Sequence, residues 1–395
     1  MGFGPGALEG LGMSEPAPGG EFAISSQFWA GKRVFVTGHT GFKGSWLLVW
    51  LSELGAYVGG YALAPDTTPS MFHGLDLASL CEHAVGDIRD QAALRDALRK
   101  FRPEVVIHLA AQPIVRKSYE QPLETFHTNA QGTANLLDAC RDVDGLRSVV
   151  VVTTDKVFEN REWLWAYREV DRLGGHDPYS ASKACAELIA AAYRSSFFAS
   201  GATGLATARA GNVFGGGDWA ADRLIPDAAR AFAAGRTLAV RNPSSARPWQ
   251  HVTESLAGYL MLARALCQRG REYAAAFNFG PRADQRVSVR QTADLFCRYW
   301  GAGAQWVHHR QPGEPHEAGM LLLDSSLARA RLGWSPSTTL DNALKNTAEW
   351  YRAFYAGAGP REMLAITRRQ LAQFAEKRCA AEETADESGS PGCAS

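Results

Sequence analysis

The sequence has no net charge, no paired cysteines and no long apolar run, and each lack removes a class of function. Its 41 Lys and Arg balance 41 Asp and Glu over 395 residues. Proteins that grip nucleic acid or anionic lipid carry a basic excess or patch; neither is present, so a small-molecule partner is expected and no nucleic acid or membrane. The seven cysteines, at 81, 140, 185, 267, 297, 379 and 393, are odd in number and never form a C-x-x-C pair. That excludes a disulfide framework and the ligand spacing of a zinc site; the thiols read as reduced, and no metal is expected. No run of about 18 apolar residues occurs, and the N-terminus lacks a basic segment followed by an apolar one. The protein is expected to be cytoplasmic.

What is present suffices for two domains, since 46% of the residues are hydrophobic. Residues 1–20 hold seven glycines and three prolines without periodicity, and the last residues, from Glu376 to Ser395, are polar and small. Such ends lack the apolar content that offsets ordering entropy, so 1–27 and 375–395 are expected to be disordered tails. Between them, short β-branched runs alternate with helical patterns: Arg33–Thr37, a helix from Phe42, Tyr57–Tyr61, a helix over Gln91–Lys100, Val105–Leu109, a helix through Asn135–Ala139, Ser148–Thr153 and a helix over Tyr179–Tyr193. Continuously apolar strands separated by helices predict a parallel sheet covered on both faces, an α/β, doubly wound, Rossmann-like domain over 28–208. From 209 to 374 the pattern loosens into glycine, proline and aromatic-rich segments with helices over Val289–Tyr299 and Leu340–Phe354. A smaller α/β substrate domain is expected there, from which the chain can cross back.

The first strand runs directly into Gly38-His-Thr-Gly41-Phe-Lys-Gly44 and then an apolar helix. Glycines let a ligand approach the backbone, and the helix N-terminus behind them offers unpaired N–H groups and partial positive charge to a pyrophosphate. A dinucleotide is the natural ligand in that strand–turn–helix context. Further on, Tyr179-Ser-Ala-Ser-Lys183 sets a phenol and an ammonium four residues apart on one helix face. A fixed cation lowers the cost of ionising a phenol whose ordinary pKa is about 10, so the pair can act as a base.

The T-G-x-x-G-x-x-G spacing with this Tyr and Lys resembles the extended branch of the short-chain dehydrogenase/reductase superfamily. The resemblance implies cofactor contacts at Gly38, Thr40, Gly41, Phe42, Lys43 and Gly44, at Asp87 and Ile88 by the adenine, and at Leu109, Ala110, Ala111 and Gln112 after the fourth strand. Asn129, Thr153, Tyr179 and Lys183 complete the implied set. In that superfamily an acidic residue ending the second strand marks NAD; here the strand runs out through Ala62-Leu-Ala-Pro65, so NAD is the expected cofactor but NADP stays open.

Hydride transfer at one carbinol needs a hydroxyl, the tyrosine and the lysine, with Thr154 as the hydroxyl. Asp155 and Lys156 are ionisable groups beyond that requirement. Thr154-Asp-Lys156, with Trp165-Ala-Tyr-Arg-Glu169, Arg209-Ala-Gly-Asn212 through Asp218-Trp219, Arg247-Pro-Trp-Gln-His251 and Gly313-Glu-Pro-His316, resembles the CDP-glucose 4,6-dehydratase family. That resemblance implies oxidation at sugar C4 with Tyr179 as base, loss of the C5 proton to Lys156, and departure of the C6 hydroxyl protonated by Asp155. Lys156 can serve as a base only when neutral; a charged lysine stabilising an enolate is the other assignment. The resemblance also implies substrate contacts at Arg209, Asn212, Asp218, Trp219, Arg223, Arg247, His251 and His316, with Arg247 the leading diphosphate ligand. Other sugar-nucleotide dehydratases or 4-epimerases of the branch remain alternatives, as does a non-catalytic dinucleotide-binding sensor. By fold analogy, a homodimer is expected through the helices near Gln131–Cys140 and Ser182–Tyr193.

Overall fold

Runs of valine, alanine and isoleucine too short for helices become strands of one parallel sheet. The computed structural model describes residues 21–282, 286–309 and 319–388. The strands are β1 (Arg33–Thr37), β2 (Tyr57–Ala62), β3 (Glu82–Val85), β4 (Val105–His108), β5 (Ser148–Val152), β6 (Gly204–Ala210), β7 (Asn212–Phe214), β8 (Leu238–Val240), β9 (Ala246–Arg247), β10 (Trp249–His251), β11 (Ala276–Phe279), β12 (Val287–Ser288) and β13 (Trp306–His308). Seven form the main sheet in the order β11-β6-β5-β4-β1-β2-β3. The others make three small pairs, β10 with β7, β12 with β9 and β13 with β8. The switch in direction of strand order falls between β1 and β4, where doubly wound sheets open a crevice at their carboxyl ends.

Strand residues alternate between two cores. Val34, Val36, Val105, Ile107, Val150 and Val152 face helices Phe42–Glu53 and Val252–Arg269, whereas Phe35, Val106, Val149 and Val151 face Leu94, Leu98, Leu136 and Leu137 on the other side. Every residue of Phe42–Glu53 from Gly44 to Leu51 is buried, as befits a helix apolar all round. It is enclosed by the sheet, by Val252–Arg269 and by the C-terminal helix.

The chain does cross back: β11 and helix Val252–Arg269, both beyond residue 209, belong to the main sheet and its covering layer. Ordered structure extends into both segments expected to be disordered. Phe22 is buried edge-on against Tyr273, and Glu21 pairs with Arg269 at 2.6 Å. At the other end, helix Pro360–Ser388 runs through the segment expected to be disordered. Its buried face continues from Met363 and Thr367 through Gln370, Leu371 and Phe374 to Arg378, whose guanidinium reaches the Ser335 carbonyl at 3.2 Å. A long side chain covering apolar surface with its stem keeps helical periodicity alive where hydrophobicity alone loses it. Among the described residues no helix is long and apolar enough to cross a membrane.

Candidate active site

The glycines after β1 divide into two that pack and one that faces outward. Gly38 has φ of 77°, and a Cβ there would stand 2.7 Å from the Ala110 nitrogen; one on Gly44 would stand 2.2 Å from the Gly38 carbonyl oxygen. Gly41, exposed, has only the Gly38 oxygen near, at 3.4 Å. It is also the N-cap of helix Phe42–Glu53 and supplies no side-chain cap to the N–H groups of the first turn. Below this turn, Thr37 Oγ1 meets His108 Nδ1 at 2.7 Å, and His108 Nε2 meets Thr133 Oγ1 at 3.2 Å. Burial, with Lys183 nearby, holds His108 down to about 3, hence neutral. Thr40 Oγ1 donates to the Leu63 carbonyl at 2.8 Å, tying the turn to the end of β2.

Asp177 caps helix Pro178–Ser196, its carboxylate accepting from the Ser180 N–H. This start puts Tyr179 and Lys183 on the face turned to the end of β5. Lys183 Nζ donates to the Val152 carbonyl at 2.9 Å; burial lowers the ammonium to about 8 while Glu187 acts upward. Burial pushes the Tyr179 phenol up to about 12, outweighing Thr154 and the Arg223 charge, which both act to lower it. The expected lowering by Lys183 is therefore not the dominant effect on the protein's own groups.

Immediately after β5, Thr154 caps the short turn Asp155–Val157 and donates to Asp155 Oδ1 at 2.8 Å. Asp155 is 1% exposed, and its Oδ2 is buried with no hydrogen-bond partner among the described residues. Lys156 Nζ stands 3.8 Å from Asp155 Oδ1. A hydroxyl, a phenol, a carboxylate and two ammonium groups thus meet at the carboxyl end of the central strands, where this architecture presents reacting groups.

Residues 35–347 match the GDP-mannose 4,6 dehydratase family. The chain is also 48% identical over 356 residues to the CDP-glucose 4,6-dehydratase of Salmonella typhimurium, covering 89% of this chain and 98% of that relative. The chain belongs to this dehydratase family. Among solved structures, DesIV, the dTDP-glucose 4,6-dehydratase of Streptomyces venezuelae with NAD bound, aligns with a TM-score of 0.68 at 25% identity, covering 81% of this chain and 97% of that one. MoeE5 in complex with UDP-glucose and NAD aligns with a TM-score of 0.67 at 26% identity, covering 82% of this chain and 99% of that one.

Several residues expected at the site of this 4,6-dehydratase family member have side chains engaged within the protein. Arg209 spends its guanidinium on the protein itself: it is 3% exposed and paired with Glu187 at 2.9 Å. Thr153, expected at the cofactor, gives its hydroxyl to the same Glu187 at 2.5 Å. Trp219 packs among Trp350, Tyr351 and Phe354 and belongs to the core. His251 is buried as the N-cap of Val252–Arg269, edge-on to Trp46 and Phe214, and burial holds it down to about 3. Asn129 spends its side-chain amide inside the protein, accepting from the Gln112 N–H at 2.8 Å and donating to Ser182 Oγ at 2.8 Å. Gln112 likewise bonds the Ile114 carbonyl and Thr125. The Asp87 carboxylate is occupied by Arg89 at 2.6 Å, and Ile88 is buried against Gly132.

Others stay near the cleft. Phe42, Leu109, Ala110 and Ala111 are half-buried around the turn. Arg223 is held by Asp218 at 3.0 Å and is close enough to act on Tyr179. Asn212 pairs with Trp249 across β7 and β10, and Arg247 lies on β9. His316 lies outside the described residues. Lys43 turns its side chain inward to Tyr259 Oη at 3.2 Å, and burial beside Arg223 and Lys183 lowers its ammonium to about 7. Tyr259 and Glu187 escaped the sequence reading. Glu187 carried a signal, its position four residues beyond Lys183 on the same helix face.

Proposed function

We propose that the chain is an NAD-dependent CDP-glucose 4,6-dehydratase, forming CDP-4-keto-6-deoxyglucose and water by internal hydride transfer. The observation that carries this reading is the pairing of Thr154, Tyr179 and Lys183 with two further ionisable groups, Asp155 and Lys156, at one point. A 4-epimerase or plain dehydrogenase needs no acid and amine beyond the first three. NAD suits the turn because Gly41 leaves open the space a side chain would fill while the first-turn N–H groups lack a cap.

When bound, NAD supplies a hydride acceptor that returns what it takes, so no external reductant is consumed. Tyr179, with Thr154 beside it, receives the proton of the sugar C4 hydroxyl as that carbon becomes a ketone. The ketone acidifies the neighbouring C5–H, and Lys156 receives that proton. Asp155, whose Oδ2 is buried without a partner among the described residues, is proposed to protonate the departing C6 hydroxyl. The hydride then returns to C6 as Lys156 gives its proton back to C5, and the proton taken by Tyr179 balances the one Asp155 gives to the departing water. Arg247 and Arg223 are the guanidinium groups proposed to hold the diphosphate.

The deciding experiment uses CDP-glucose carrying deuterium at C4. Recovery of the label at C6 supports the internal transfer, and loss of label to solvent contradicts it. For assembly we propose a homodimer through helices Gly132–Cys140 and Pro178–Ser196, on which Leu188 is 60% exposed and available for burial. A monomer in sedimentation at micromolar concentration would refute it.

A further inference from the structure

Behind Tyr179 and Lys183, in the role just proposed for them, stands a buried carboxylate. Helix Pro178–Ser196 carries Glu187 one turn beyond Lys183, so Tyr179, Lys183 and Glu187 follow at four-residue intervals along one face. Glu187 is 3% exposed yet amply partnered. Thr153 donates to Oε1 at 2.5 Å. Thr207 and Arg209 donate to Oε2 at 2.7 Å and 2.9 Å. These donors and the Arg209 charge hold its carboxyl below the usual range against the pull of burial.

Arg209 in turn reaches the Glu169 carbonyl at 3.0 Å and lies over the Phe158 ring at 5.0 Å. The network therefore touches the residue before Thr154 and the residue two beyond Lys156, bracketing the reacting segment. Burying an ion pair costs several kcal/mol in desolvation, and such a pair is weak evidence of stabilisation. Its position next to a buried ammonium supplies another use.

Lys183 needs an anion. Burial acts to neutralise it, Glu187 is the charge acting the other way, and a neutral Lys183 gives Tyr179 no help in losing its proton. The other groups facing the pair do not replace Glu187. Lys43, from helix Phe42–Glu53, and Lys183 repel each other, and His108 on β4 is neutral. Asp155 and Asp177 oppose a phenolate while Arg223 favours one. We propose that Glu187, kept ionised by Arg209, Thr153 and Thr207, is a positioning residue that keeps Lys183 charged behind the Tyr179 phenol. Arg209 then serves the reaction through Glu187 and not through the substrate.

The test reads Lys183 directly. Protein carrying 13C at the lysine ε-carbons and loaded with NAD is titrated by NMR, the Lys183 signal being the one lost in Lys183→Arg. Glu187→Gln keeps an acceptor for the threonine hydroxyls and removes the charge. The Lys183 midpoint is expected to fall by about one pH unit or more. In parallel, the acidic limb of kcat/KM should move to higher pH, a loss of about tenfold per unit below it. Arg209→Met should reproduce the shift, because Glu187 then takes up a proton, and Arg209→Lys should largely restore it. A Lys183 midpoint unmoved in Glu187→Gln overturns the inference even if turnover falls, and that variant decides alone if Arg209→Met does not fold. The titration needs no substrate, so a wild type inert towards every sugar nucleotide would defeat the proposed function while this inference is still decided.

Discussion

Alanine at Gly41 and alanine at Gly44 should both weaken NAD binding but differ in what they cost the free protein, because only the space at Gly44 is filled by the protein itself. At Gly44 the new methyl would lie 2.2 Å from the Gly38 carbonyl oxygen and 2.6 Å from His39 Cα. Both are backbone atoms on a turn anchored by the Gly38 N–H to the Tyr61 carbonyl at 2.9 Å. Overpacking of that kind costs about 1–3 kcal/mol, and the displaced turn should bind NAD at least tenfold more weakly. At Gly41 the methyl would meet only one atom, at 3.4 Å, and φ is an unstrained −78°. Its cost to the free protein is the poorer N-cap, about 0.5–1 kcal/mol.

If the pyrophosphate lies against Gly41, this nearly silent substitution should abolish most of the stabilisation that NAD confers. That stabilisation is about 2.7 kcal/mol at a concentration one hundred times Kd. Chemical unfolding with and without NAD, together with calorimetric titration, measures both quantities. Gly41→Ala with undiminished NAD stabilisation would refute the placement of the dinucleotide on this turn.

Three further outcomes are expected. Lys156→Ala should retain NAD binding and lose elimination, with reduced cofactor accumulating at 340 nm; unchanged turnover would contradict its assignment as the C5 base. Arg247→Met should raise KM for the sugar nucleotide by roughly 10- to 100-fold, the worth of a charge-assisted contact, and leave NAD affinity alone; an unchanged KM removes Arg247 from the diphosphate site. His39, His108 and His251 are held by burial at about 4, 3 and 3, below the ordinary value near 6.5. The unfolded chain therefore binds more protons below pH 6.5, and stability present at neutral pH is lost as pH falls, by about 2 kcal/mol per histidine at pH 5. A urea midpoint equal at pH 7.5 and pH 5 would contradict their buried, neutral state.

The parts of the site set by local geometry were legible in the sequence, and the parts set by distant packing were not. Tyr179 and Lys183 meet because four residues make a helical turn, and Thr154-Asp155-Lys156 sits where a parallel strand ends. The glycine turn is equally local. Arg209, Trp219 and His251 were assigned to the substrate from the motifs that contain them, but a motif does not say which way each of its side chains faces, and neighbours on a strand or loop face opposite ways. Arg209 is claimed by Glu187, 22 residues away, and Trp219 by Trp350, Tyr351 and Phe354 from another helix. No residue near 209 or 219 announces those partners. The C-terminal helix was missed for a related reason: its buried stripe ends on Arg378, which a compositional reading counts as surface.

The central claim is tested most directly by incubating the protein with NAD and CDP-glucose, and separately with UDP-glucose and dTDP-glucose, following the 4-keto product by its alkaline absorbance. The account predicts product from CDP-glucose with no net formation of reduced cofactor. No product from any of the three despite NAD binding would contradict it, and product from one of the others alone would preserve the chemistry while overturning the substrate.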